Sequence, residues 1–266
     1  MIKAIAFDLW ETLITEDATT ARQQERLRLE RIEQILGVRQ APSPVEAGQA
    51  GRLSYTQIES AYRALWHRCF DLYWSDDRDV PCRRQIEHML EELGVAPSSL
   101  DEPTLAELER VYAHAALEVL PRPVTGAPET LERLKQRDMV VGLISNTGRT
   151  PGYVLRQILD RLGLARSIDV MVFSNEHGEC KPRASIFEQL RAGLGVAYEE
   201  MMFVGDNLYV DVYGAQRCGM RGIHFVPPER GMAVAPPVDH EMEIHPDATI
   251  TDLGELPSVI ERMMDA

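Results

Sequence analysis

The sequence has few basic residues, and this shortage limits its partners. Lys and Arg number 28 against 42 Asp and Glu, so the formal net charge is −14. Without a basic stripe to neutralise a phosphate backbone, nucleic acid is not an expected partner. A small anionic ligand stays possible, because a metal ion, a single lysine or a helix N-terminus can supply positive charge locally.

Long apolar segments are also missing. No run of about 18 apolar residues occurs, which excludes a transmembrane helix. The N-terminus leads directly into a predicted strand without the apolar stretch of a signal peptide, so we expect a cytoplasmic protein. Cys69, Cys82, Cys180 and Cys218 are widely spaced, which predicts reduced thiols and no zinc site.

Strand and helix patterns divide the chain into two kinds of segment. One of them alternates strands with helices, which implies right-handed crossovers and a parallel sheet. Its predicted strands are 2–8, 139–145, 170–174, 201–205 and 221–226. Its predicted helices are 127–137, 151–162, 184–194, 210–218 and 253–264.

The segment between residues 18 and 120 shows helical periodicity and no strand pattern. Helices are expected at 21–36, from Ser54 or Thr56 to 74, at 83–93 and at 105–120, with a Pro- and Gly-rich loop at 39–51. A second loop is expected at 227–247. The predicted fold class is therefore α/β, with a Rossmann-like parallel sheet and an inserted, all-helical cap.

Polar side chains occur where the predicted strands end. Asp8, Ser145 and Asp206 lie within about a residue of a strand end, and Lys181 lies a few residues beyond another. In an open parallel sheet, ligands bind outside the carboxyl ends of the strands, so these positions should converge on one crevice. Taken alone, Asp8 and Ser145 are also consistent with turn residues, Asp206 with an acid at a helix start, and Lys181 with a surface lysine.

Taken together and in order, these segments resemble the four motifs of the haloacid dehalogenase superfamily. The motifs are Phe7-Asp8-Leu9-Trp10-Glu11-Thr12, Ser145-Asn146, Lys181-Pro182 and the Gly205-Asp206 to Asp211 stretch. The resemblance covers about residues 1–14 and 121–226. It implies a core domain at 1–14 and 121–266 and a C1-type cap domain at 15–120.

The resemblance assigns a role to each motif residue. Asp8 would be the nucleophile that forms an aspartyl-phosphate. The Ser145 hydroxyl and the Asn146 backbone N–H would hold a phosphoryl oxygen, with Thr147 and Arg149 as further substrate-binding candidates on the same loop. Lys181 would offset the charge between the carboxylates and the phosphate.

A magnesium ion is the expected cofactor. Mg²⁺ prefers hard oxygen ligands and typically takes one or two carboxylates together with water and phosphate. By resemblance, Asp8, Asp206 and the backbone carbonyl of Trp10 would bind it. Asp211 belongs to the same candidate metal set, although orienting ligand waters or Lys181 is the role favoured for it.

Trp10 departs from the pattern of the family's phosphatases. Those enzymes have a second Asp at this position, which protonates the leaving oxygen and later activates water. Such acid–base help is worth roughly 10²–10⁴ in rate, and an indole cannot supply it. Glu11 is expected to be a solvent-facing acid at a turn, so the role is not transferred to it. Trp10 itself is counted among the substrate-binding candidates.

Three functions remain open at this point. The favoured one is a Mg²⁺-dependent phosphatase for a small, anionic phosphorylated metabolite. The second is a catalytically impaired or repurposed protein in a biosynthetic pathway. The third is a 2-haloacid dehalogenase, whose family has a Tyr where Trp10 stands but lacks the metal-binding Asp that Asp206 matches. The sequence leaves the substrate open, and the oligomeric state as a monomer or a homodimer.

Overall fold

The computed structural model describes residues 1–39, 53–228, 231 and 243–264. The loops expected at 39–51 and 227–247 lie largely outside these residues. Across the described ranges, no helix combines the length and apolar character needed to cross a bilayer. The four cysteine thiols are unpaired, as expected.

A parallel sheet forms the centre of the described structure. In chain order the strands are β1 (Ala4–Phe7), β2 (Ile14–Thr15), β3 (Arg122–Pro123), β4 (Val140–Ser145), β5 (Val170–Phe173), β6 (Met201–Gly205), β7 (Arg221–Phe225) and β8 (Ala248–Ile250). Among the described residues, six strands pair in the order β5-β4-β1-β6-β7-β8, and all their pairings are parallel. The predicted parallel sheet is confirmed, and β8 is an edge strand that was not predicted.

Helices cover both faces of this sheet. In chain order they are α1 (Ala18–Arg39), α2 (Tyr55–Leu72), α3 (Cys82–Glu92), α4 (Glu102–Glu118), α5 (Ala127–Gln136), α6 (Gly152–Arg161), α7 (Ser174–His177), α8 (Ala184–Leu194), α9 (Gly214–Arg217) and α10 (Leu256–Met264). A π-helical segment, Leu208–Tyr213, precedes α9. The helix predicted at 210–218 therefore begins earlier, because the Asn207 side chain accepts hydrogen bonds from the N–H groups of Tyr209 and Val210.

The pleat of β1 separates two apolar cores. Ile5 and Phe7 belong to the core beneath α5, α6 and α10, whereas Ala4 and Ala6 belong to the core beneath α8 and α9. The second face is closely packed: a Cβ added at Gly142 would lie 2.8 Å from Leu190 Cδ1. The sheet and its helices thus hold the strand ends at fixed positions.

The segment from α1 to α4 is helical, as predicted. Ser54 and Gln57 form a reciprocal cap at the start of α2, and Asp101 caps α4. The helices pack as the pairs α1 with α4 and α2 with α3. A short antiparallel pair that was not predicted, β2 with β3, joins the chain on either side of this segment.

Candidate active site

Four strand ends meet at one edge of the sheet. Because β5, β4, β1 and β6 are neighbours, the residues that follow them face one crevice. Asp8 follows β1, Ser145 ends β4, and Asp206 follows β6. Lys181 lies in the connection between α7 and α8. The structure thus brings together residues that are up to about 200 positions apart in the sequence.

Asp8 is a buried carboxyl group with one oxygen firmly engaged. Its side chain accepts a hydrogen bond from Lys181 Nζ on Oδ1 at 2.5 Å, whereas Oδ2 has only a long contact of 3.4 Å from the Thr12 hydroxyl. Burial raises the pKa of Asp8 to about 6. The charge of Lys181 lowers this pKa, and the charge of Asp211 raises it further. Oδ2 is therefore the oxygen left for a ligand.

Lys181 links the nucleophile candidate to Asp211. Its ammonium group is 1% exposed and donates to Asp8, to Asp211 Oδ1 at 2.8 Å and to the Ile144 carbonyl at 3.1 Å. Burial opposes its charge, but Asp211 and Asp8 raise the pKa of Lys181 above its ordinary value. Lys181 is therefore a fixed cation whose three donors are all used within the protein.

The carboxyl groups of Asp8, Asp206 and Asp211 form a cluster, with one oxygen from each lying within 4.8 Å of the others. Burial and the neighbouring carboxylates Asp8 and Asp211 raise the pKa of Asp206 to about 8. Three acids against one ammonium leave an excess of negative charge, which a divalent cation would offset. The all-oxygen donor set suits Mg²⁺.

Asp211 is placed to orient its neighbours. One of its oxygens accepts from Lys181, and the other accepts from the Asn207 N–H at 3.0 Å. A Cβ at Gly205 would lie 2.3 Å from Asp211 Oδ2, so only glycine leaves room for this carboxylate. This geometry favours an orienting role for Asp211, with Asp8 and Asp206 left to bind a metal ion.

The loop after β4 is fixed by paired hydrogen bonds. The Asn146 side chain accepts from the Lys181 backbone N–H at 2.8 Å and donates to the Lys181 carbonyl at 3.1 Å. Ser145 is fully buried, and its hydroxyl has a long contact of 3.5 Å to the Asn146 carbonyl. Asn146 therefore sets the position of Lys181, and the Ser145 hydroxyl keeps hydrogen-bonding capacity for a ligand.

Thr147 faces a network inside the protein. Its hydroxyl donates to Asp79 Oδ2 at 2.9 Å, and its N–H donates to the Ser174 hydroxyl at 2.8 Å. The hydroxyl and the N–H of Thr147 thus both donate hydrogen bonds within the protein, which favours a structural role over the predicted contact with substrate.

Asp79 was not identified from the sequence, although it joins the helical segment to the site. Besides Thr147, it accepts from the Ser174 hydroxyl, the Trp74 indole and the Val80 N–H. Its own N–H donates to the Gly178 carbonyl at 2.9 Å. No spacing signal could have revealed it, because its side-chain partners Thr147 and Ser174 are 68 and 95 residues away.

Trp10 and Glu11 occupy a tight turn after the nucleophile candidate. Trp10 is partly buried and packs against the main core. Glu11 has a positive φ of 60°, and its carboxylate accepts from the Thr15 hydroxyl at 3.0 Å and from the Gly231 N–H at 2.6 Å. The prediction of a solvent-facing Glu11 is wrong, since this side chain is 4% exposed and hydrogen-bonded inside the protein.

Arg149 belongs to the loop after β4, and its side chain contacts helix α2. Its guanidinium is 4.7 Å from the centre of the Tyr62 ring and 4.6 Å from that of Trp66. Two other polar residues of α2 face away from Arg149 into solvent: Arg63 is exposed and pairs with Glu59, and His67 is exposed.

The fold and this acidic, lysine-bridged cluster define an α/β protein with a polar site at the carboxyl edge of its sheet. The family model of the haloacid dehalogenase-like hydrolases matches residues 2–219. A glyceraldehyde 3-phosphate phosphatase of Methanopyrus kandleri is 30% identical over 222 residues, 83% of this chain and 82% of that protein. The chain therefore belongs to the haloacid dehalogenase-like hydrolases.

Two further similarities bear on function. A glyceraldehyde 3-phosphate phosphatase of Pyrococcus furiosus is 36% identical over 53% of this chain, and the match spans about half (55%) of that protein. The crystal structure of a 2-haloacid dehalogenase from Pseudomonas syringae pv. Tomato DC3000 is similar with a TM-score of 0.65 and 25% identity, covering 99% of this chain and 100% of that one. The family thus includes relatives with two different chemistries.

Proposed function

We propose that this protein is a Mg²⁺-dependent phosphatase that acts on a small phosphorylated metabolite through an aspartyl-phosphate at Asp8. The observation that carries the proposal is the cluster of Asp8, Asp206 and Asp211 around Lys181. By the family resemblance, dehalogenases lack the metal-binding acid that Asp206 matches. The phosphatase names of the relatives from Pyrococcus furiosus and Methanopyrus kandleri point the same way.

The proposed reaction begins with attack of Asp8 Oδ2 on phosphorus, with breakage of the bond to the leaving oxygen. Oδ1 stays bonded to Lys181, which keeps the carboxylate oriented. The Ser145 hydroxyl and the Asn146 N–H would hold a phosphoryl oxygen. Asp8, Asp206 and the Trp10 carbonyl would hold Mg²⁺, which when bound stabilises the negative charge of the phosphoryl group. Water then cleaves the aspartyl-phosphate and restores Asp8.

Trp10 shapes which substrates react. Its indole can neither protonate the leaving oxygen nor activate the water. Since such help is worth about 10²–10⁴ in rate, substrates with good leaving groups, such as acyl or enol phosphates, should react fastest. The polar groups of Glu11 are already engaged with Thr15 and Gly231, so Glu11 does not replace the missing acid.

The same proposal includes the domain division and the setting. Residues 1–14 and 121–266 would form the core, and residues 15–120 would form a C1-type cap over the site. The short β2–β3 pair lies at the two crossings between these parts, which supports boundaries near 15 and 120. The protein is expected to work in the cytoplasm without nucleic acid, as a monomer or a homodimer.

Dehalogenation, third in order from the sequence alone, becomes the second candidate once the structural likeness is added. The aromatic Trp10 and the likeness to the Pseudomonas syringae structure favour it, because halide leaves without a proton. A repurposed protein that has lost turnover is the third candidate, favoured by the missing acid alone. These functions differ in their need for metal and in their product.

The test is release of phosphate from para-nitrophenyl phosphate and acetyl phosphate, with Mg²⁺ or with EDTA, compared with an Asp8→Asn variant. The proposal predicts Mg²⁺-dependent release that Asp8→Asn abolishes. Metal-independent chloride release from 2-chloropropionate, without phosphate release, would establish the dehalogenase instead. Mg²⁺ binding with no turnover of either kind would favour the repurposed protein.

A further inference from the structure

Gln85 is a buried side chain that the proposed reaction does not use. It lies on α3 and is 1% exposed. Its Nε2 donates to the Gly148 carbonyl at 2.9 Å and to the Val80 carbonyl at 3.3 Å, and its Oε1 accepts from the Tyr112 hydroxyl at 2.8 Å. The orientation of this amide is fixed, because exchanging its two ends would place an oxygen against two carbonyl oxygens.

Gly148, the first of these partners, belongs to the loop after β4 and lies 63 residues further along the chain. Its φ of 62° is a conformation that glycine adopts without strain. Asn146, two residues earlier, holds the backbone of Lys181 by two hydrogen bonds, and Lys181 Nζ donates to Asp8. A short path of contacts therefore links Gln85 on the helical segment to the nucleophile candidate.

The two residues next to Gly148 also contact the helical segment. The Thr147 hydroxyl donates to Asp79, and the Arg149 guanidinium stacks on two aromatic rings of α2. Three consecutive loop residues are thus held by side chains of this segment. Of the three contacts, the one from Gln85 is made to a backbone atom of the loop, so it restrains the direction of the peptide chain itself.

We infer that Gln85 is a positioning residue for the loop that would hold the phosphoryl group. The inference rests on the proposed function, which assigns the Ser145 hydroxyl and the Asn146 N–H to a phosphoryl oxygen. Donors stabilise a transition state best when they already point to the place where charge develops, since no reorganisation is then needed. By fixing the Gly148 carbonyl, Gln85 holds these donors in place without touching the substrate.

A Gln85→Met variant tests this role, because methionine keeps the length of the side chain but cannot donate to Gly148. Hydrogen–deuterium exchange of the peptide that contains residues 145–150 reports on the loop without requiring turnover. We expect this exchange to be about tenfold faster, as for the loss of one buried hydrogen bond. Calorimetry with inorganic phosphate in Mg²⁺ should show about tenfold weaker binding, because the loop donors are no longer held in position.

Two further variants separate positioning from stability. Tyr112→Phe keeps the ring but removes the donor to Gln85 Oε1, so both readouts should change in the same direction by about threefold. Gln157→Met is the matched control and should leave both unchanged, because Gln157 is exposed on α6 and donates to the Tyr153 carbonyl of its own helix. A merely destabilised protein differs from a mispositioned one, since partial unfolding lowers the calorimetric stoichiometry of phosphate and not its affinity.

The outcomes separate the two proposals. Unchanged loop exchange and phosphate affinity in folded Gln85→Met overturn the positioning role, and so does a lowered melting temperature with only the stoichiometry reduced. If Gln85→Met does not fold, Tyr112→Phe decides, and unchanged loop exchange in that variant overturns the role. If the unmodified protein neither binds phosphate nor hydrolyses phosphate esters, the phosphatase proposal fails, and loop exchange alone decides whether Gln85 positions the loop.

Discussion

The metal-free protein should lose stability as the pH rises, because its carboxyl cluster resists ionisation. Burial, together with repulsion from neighbouring carboxylates, raises the pKa of Asp8 from 3.8 to about 6 and that of Asp206 from 3.8 to about 8. In the unfolded chain both groups ionise near pH 4. Between about pH 4 and 8 the folded protein thus holds more protons than the unfolded chain, so the free energy of unfolding falls with rising pH.

The size of this loss follows from the shift of Asp206. For each proton that the folded state binds in excess of the unfolded chain, the free energy of unfolding falls by about 1.4 kcal/mol per pH unit. Asp206 therefore accounts for at most about 4 kcal/mol between pH 5 and 8. Because Asp206 is only half-buried and keeps some hydration, we expect a measured loss of about 2 kcal/mol. Mg²⁺ should restore this stability at pH 8, since it binds the ionised carboxylates.

Urea unfolding from pH 5 to 8, in EDTA or in Mg²⁺, measures this effect. An Asp206→Asn variant should show a flatter pH dependence in EDTA and little stabilisation by Mg²⁺. Glu200→Gln is the control, because Glu200 pairs with Lys3 at the surface and should leave both effects in place. Equal stability of the metal-free protein at pH 5 and 8, or full Mg²⁺ stabilisation of Asp206→Asn, would refute the reasoning.

Three further predictions concern single side chains. Asp79→Ala should lower the free energy of unfolding, measured in urea, by about 2–4 kcal/mol, because it leaves buried hydrogen-bond donors unpaired. Asp76→Ala is the control: this residue is exposed, so the change should be less than about 0.5 kcal/mol. Trp10→Asp should accelerate the hydrolysis of alkyl phosphates by about 10²-fold or more, and the hydrolysis of acetyl phosphate far less. Equal effects on both substrates in steady-state assays would argue against a missing acid. Gly142→Ala should destabilise the protein by about 1–3 kcal/mol, because its Cβ would press on Leu190, and an unchanged melting temperature would contradict that packing.

The parts of the fold that follow local rules could be predicted from the sequence. Buried apolar runs predicted the bounds of β1 and β4 to within about two residues. The rule that ligands bind at the carboxyl ends of parallel strands predicted that Asp8 and Asp206 lie together. The edge strand β8 escaped because three residues carry too little pattern to separate a strand from a loop.

The rest depended on partners that are distant in the sequence. Glu11 was expected in solvent, but a hydrogen bond from Gly231, 220 residues away, holds it inside together with a second one from the nearby Thr15. Asp79 is one of several acids in a polar stretch, and only the fold shows that it contacts Thr147. Arg28 has the sequence context of a surface residue on a charged helix, and its burial depends on how α1 packs against α4.

The central claim is that Asp8 becomes phosphorylated and that Trp10 leaves its hydrolysis without a general base. A rapid-quench experiment with para-nitrophenyl phosphate and Mg²⁺ tests it most directly. The claim predicts a burst of nitrophenol close to one per enzyme, followed by slow turnover, and mass spectrometry should find the phosphoryl group on the peptide that contains Asp8. Turnover without a burst, and with no phosphoryl group on that peptide, would contradict it.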